Sequence, residues 1–90
     1  LMENNERKEV LQNLVASVAV LTWTQDLEMS CAIMDSTAEK YGKNYVNDLM
    51  LELMPVLNGD TTSASKDVFL TVAMLALIQP LPNNWSQTKN

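Results

Sequence analysis

Carboxylates are the only abundant reactive group in this chain of 90 residues, where eleven Asp and Glu stand against six Lys and Arg, with no histidine and one cysteine. Paired carboxylates do acid and base work only in a cleft that splits their pKa values, and a small domain rarely has room for one. Without histidine the usual base near neutral pH is missing. Cys31 falls on an apolar stripe with no cationic neighbour in sequence to lower its pKa, which reads as a buried, inert thiol. No enzyme is expected. One cysteine makes neither an internal disulfide nor a zinc knuckle, and the chain has no DxDxDG loop or ExxH pair, so no metal site is expected. Two glycines build neither a GxxxxGK nor a GxGxxG loop, so no nucleotide cofactor is expected either.

What the acids offer is surface. Residues 26–60 hold seven acids (Asp26, Glu28, Asp35, Glu39, Asp48, Glu52, Asp60) against Lys40 and Lys43, which equals the chain's whole net charge of −5. At helical spacing Glu28, Asp35 and Glu39 project to one side, and Asp35 and Glu39, four apart, repel by a few tenths of a kcal/mol. Such a face suits a basic protein partner, or simply keeps the chain in water. It is the reverse of the basic footprint that phosphate backbones require, so nucleic-acid binding is not expected. Val20 and Trp23, nearby on another apolar segment, are the expected apolar contacts of a partner site whose polar rim is Glu28, Asp35 and Glu39.

The elements that carry these residues are helices. Val10, Leu11, Leu14, Val15, Val18 and Leu21 recur at steps of three and four from a start near Asn4 or Asn5. From Leu14 to Trp23 the opposite side is apolar as well, through Ala16, Ala19, Val20 and Trp23, so this helix is central or faces a partner. A new stripe of Leu27, Cys31, Met34, Ala38 and Tyr41 starts in another phase, with Thr22 or Thr24 as its N-cap and Gly42 as a left-handed stop. A third helix from Asn44 buries Tyr45, Val46, Leu49, Met50, Leu53, Val56 and Leu57, and Pro55 should kink it or end it near Met54. After the turn Asn58-Gly59-Asp60, a fourth runs from Ser63 or Ser65 to Gln79, its span Val68–Ile78 without a polar face, and Pro80 and Pro82 stop it. The fold expected is all-α: a compact, dimeric bundle of about four helices, with one domain over 1–80 and a polar C-terminal tail over 81–90.

Three functions fit this pattern. The first is a non-enzymatic helical interaction module that regulates, adapts, inhibits or escorts another protein and works as a homodimer, because four short helices carry more apolar surface than one monomer hides. Another is a bundle that takes an apolar small molecule, its methionines lining the pocket and Tyr41 or Tyr45 serving as polar handle. The last is an acidic decoy for a basic nucleic-acid enzyme. The apolar span Val68–Ile78 is far shorter than the roughly 20 residues that cross a bilayer. The charged opening Glu3–Glu9 lacks a secretory core, so a cytoplasmic protein starting at Met2 is expected, and the sequon Asn84-Trp85-Ser86 would go unused.

Overall fold

The computed structural model describes the backbone of residues 4–78 and the side chains of residues 5–74. Four helices occupy most of it: α1 (Asn4–Thr24), α2 (Leu27–Tyr41), α3 (Lys43–Leu57) and α4 (Lys66–Ile78), with no strand among the described residues. The expected stops at Pro80 and Pro82, and the tail with Trp85, lie outside the described residues. α1 packs on all three other helices, α3 likewise, while α2 and α4 do not touch. The radius of gyration is 12.7 Å, close to the roughly 12 Å of a compact domain of this length.

Each boundary has a local cause. Gln25, at φ 56°, turns α1 off in the left-handed region while its N–H still bonds the Leu21 carbonyl at 3.0 Å. α2 is then capped by Asp26, whose carboxylate accepts from the Met29 N–H at 2.9 Å. That corrects the expectation of a threonine cap. Both hydroxyls are committed inside α1, Thr22 donating to the Val18 carbonyl at 2.8 Å and Thr24 to the Val20 carbonyl at 2.6 Å.

Gly42 ends α2 as expected, in a different well from the one expected. Its φ of 99° with ψ of 132° lies outside the left-handed helical basin, in positive-φ territory nearly reserved for glycine. Its N–H bonds the Ala38 carbonyl at 2.9 Å and its own carbonyl accepts from Val46 at 3.1 Å, so one residue closes α2 and opens α3. α3 runs through Pro55 to Leu57 rather than stopping at Met54. It stops where Gly59, φ 92°, lets Asp60 N–H reach back to the Pro55 carbonyl at 2.8 Å and Gly59 N–H to the Val56 carbonyl at 3.0 Å, the paired bonds of a Schellman motif. α4 begins at Ser65, whose carbonyl accepts the first helical bond from Phe69 at 3.0 Å.

The core is built where α1 meets α3. Val10, Leu11, Leu14 and Val15 of α1 interlock with Val46, Leu49, Leu53, Val56 and Leu57 of α3, and Val68 of α4 seals one side. Each such side chain contributes roughly 1.5–3 kcal/mol by leaving water. α2 packs Met34, Ala38 and Tyr41 against this core and is tied to α1 by hydroxyls as well. Ser17 and Ser30 are both buried, and each hydroxyl reaches the other residue's carbonyl at 2.9 Å, with the two oxygens 2.8 Å apart. Two protons thus serve three contacts between two helices close enough to touch through serines. Thr37, also buried, satisfies itself on the Ile33 carbonyl at 2.7 Å.

Candidate functional site

The expected partner residues separate into two places. Glu28, Asp35 and Glu39 are all exposed on α2, within roughly 40° of one another at 100° per residue. They stand opposite Ser30 and Thr37, the residues that α2 buries. Val20 and Trp23 are half-buried on α1. Ser17 turns toward α2, and Trp23 lies roughly 120° around α1 from it, so the acids and the indole do not form one patch.

A different set of apolar residues borders the acids. α2 and α3 leave an open cleft of about 340 Å³ over Met34, Asp35, Ala38, Lys43, Asn47 and Met50. Beside it, sharing Asp35, Ala38 and Lys43, a second hollow of about 490 Å³ extends along α2 to Ala32, Ser36 and Glu39. Met34, Ala38 and Met50 are half-buried. The stripe Leu27, Cys31, Met34, Ala38, Tyr41 therefore does not turn into the core as a unit. Met34 and Ala38 flank this cleft and, with Tyr41, pack against the core, while the upper half of the stripe is open: Leu27 is 62% exposed and Cys31 is exposed, which corrects the reading of a buried thiol. Periodicity revealed that α2 had an apolar stripe but not what the stripe faced. Tyr41 and Tyr45, the expected handles of a ligand pocket, line neither hollow.

The charged clusters elsewhere are structural ties. Arg7 donates through Nε and Nη2 to the Asp67 carboxylate, and through Nη2 to Glu52 at 2.9 Å, joining α1, α3 and the start of α4. Glu52 also accepts from Ser65 at 3.0 Å, and Asp67 from the Val68 N–H at 2.9 Å. The Arg7 guanidinium holds both carboxyls below their usual range, and they in turn raise its own pKa, Asp67 more than Glu52. Burial pushes the nearby Tyr45 phenol up. At the surface Lys40 reaches Glu9 at 3.3 Å and lies 5.1 Å from the Tyr41 ring centre. Tyr41 and Lys40 together lower the Glu9 carboxyl.

α4 carries the other conspicuous surface. Val68 faces inward, and Phe69, Leu70 and Met74, roughly a third to a half turn away from it, are each about half exposed. Among the described residues no group of cysteines and carboxylates is arranged to hold a metal, and no helix is long and apolar enough to cross a membrane. Set beside protein-family models, curated proteins and solved structures, the chain matches none of them.

Proposed function

We propose that this protein is a small, non-enzymatic helical interaction module that works as a homodimer in the cytoplasm and regulates or escorts another protein. The observation that carries the reading is the outer face of α4. Phe69, Leu70 and Met74 leave large apolar side chains in water, with Ala73 half-buried between them. A helix that spends its apolar surface this way is stabilised by a second apolar face, and in a two-fold dimer the same patch serves both chains. Glu28, Asp35 and Glu39 lie on α2, which does not touch α4, so pairing through α4 leaves the acidic side free for a partner.

Light scattering behind size exclusion, over micromolar concentrations and at two salt levels, tests this. A mass near twice the 10.1 kDa of one chain, insensitive to salt, is the expected result. Phe69→Asp, placing a charge in the middle of the face, should return the mass to that of one chain with the helical circular dichroism intact. A monomer for the unaltered chain at all concentrations removes the dimer from the reading.

A further inference from the structure

We infer that α4 packs antiparallel on the α4 of a second copy of this chain, with Lys66 of each chain laid along the carbonyl end of the partner helix. This rests on the reading of the chain as a homodimer through α4 and gives that contact a direction. At 100° per residue Lys66, Phe69, Leu70, Ala73 and Met74 share one side of α4, opposite the buried Val68. Lys66 falls near the middle of that side, in line with Leu70 and Ala73. The side is thus apolar except at its start, where the exposed Lys66 ammonium pairs with no acid among the described residues.

The other end of α4 is short of donors. A helical carbonyl accepts from the N–H four residues on, and Pro80 and Pro82 carry none, so the Ala76 and Ile78 carbonyls have no such bond to receive. No basic side chain stands in the last turn to serve them. One helix therefore offers a cation without an anion at its start and carbonyls without donors at its end, about 16 Å apart. A two-fold interface must be self-complementary, and this one is so only with the two helices antiparallel. Leu70 of one chain then meets Ala73 of the other, a large side chain on a small one, and Lys66 comes level with position 77. Its flexible stem lets the ammonium reach the last-turn carbonyls. The helix dipole acts in the same sense: at the first position of α4 a cation lies at the positive end of its own helix, where it is disfavoured, and at the negative end of an antiparallel partner, where it is stabilised. Laid parallel, the two helices set Lys66 against Lys66 and Ala73 against Ala73, with like charges at one end and a gap near the centre.

Sedimentation equilibrium of the full chain at one ionic strength, with Lys66→Gln beside it, gives opposite signs for the two directions. Antiparallel packing loses two ammonium contacts, one at each end, so the dimer dissociation constant should rise about fivefold with unchanged circular dichroism. Parallel packing loses a repulsion instead. A constant that falls or stays the same overturns the inference. A second measurement uses chains carrying Cys31→Ser. When Leu70→Cys chains are mixed with Ala73→Cys chains, the mixed disulfide should form in preference to either self-disulfide, and a preference for self-disulfides overturns the antiparallel direction. If the unaltered chain is a dimer and neither variant forms a disulfide, the contact lies away from α4 and the homodimer stands without it. A chain that stays monomeric at all concentrations removes both.

Discussion

Two stretches of α1 are held by different chemistry. Toward α3 it presents Val10, Leu11, Leu14 and Val15, and the seam is dry and interlocked. One turn later, and nearly on the same face as Val10, it adds Ser17, whose hydroxyl meets that of Ser30 on α2, while Met34, Ala38 and Tyr41 of α2 pack on the apolar core. An apolar seam gains in proportion to the area it removes from water and tolerates many sequences of similar volume. The serine pair itself gains little from area, yet each buried hydroxyl must find its partner, so the pair fixes register more than it adds stability. The same helix thus draws stability from its aliphatic stretch and alignment from its serine.

The contrast can be broken most sharply at Leu53, fully buried opposite α1. Leu53→Ala should cost about 2–5 kcal/mol, a large share of what a domain of this size has, measured as the shift of the urea midpoint. Gly42→Ala comes next. Nothing lies within 4 Å of the added methyl, so the cost is backbone strain alone, about 1–3 kcal/mol. If Gly42→Ala instead leaves stability unchanged by the same measurement, the positive φ is not required. At the serine seam, Ser17→Ala and Ser30→Ala should each cost about 1 kcal/mol. The double variant should cost less than their sum, since the remaining hydroxyl of either single variant has lost its fellow. Additive losses in this double-mutant cycle would show that the two hydroxyls act independently.

The smallest effect belongs to Arg7, because Glu52 and Asp67 keep 40% and 45% of their side-chain surface exposed and solvent screens the ties. Arg7 holds both carboxyls below their unfolded values, so the native state binds fewer protons. The stability they contribute is present above the ordinary carboxylate range and is lost as pH falls through it. Arg7→Gln should cost about 0.5 kcal/mol near pH 6 and less than that near pH 3, by urea melts at each pH. A cost that does not shrink in acid would assign Arg7 to packing.

What was legible in the sequence follows the same division. The α1–α3 seam was readable residue by residue, because large aliphatic side chains at steps of three and four have no other stable use. Gly42 and Asn58-Gly59-Asp60 were readable as stops, because positive φ excludes most other residues. The α2 boundary was missed by two residues at Asp26, since threonines that return their hydroxyls to the preceding turn resemble caps in sequence. Ser17, Ser30 and Thr37 were invisible as interior residues, because a hydroxyl is polar until its partner is known. For the candidate site, Asp35 and Glu39 were found as an outward acidic side, while Met34, Ala38 and Met50 were read as core, against which they do pack, and their edge on the hollow was not foreseen. A stripe says which residues act together, and only the neighbouring helix decides whether it is covered.

Gly42 also governs how quickly the chain can assemble. With one residue between α2 and α3, closing that hairpin orders almost no loop, and its contacts form between neighbours in sequence. The Arg7 bond to Asp67 spans 60 positions and requires every intervening element to be in place. The α1–α2 and α2–α3 pairs, joined by two residues and by one, are therefore the natural early units, and the docking of α4 on α1 is a late event.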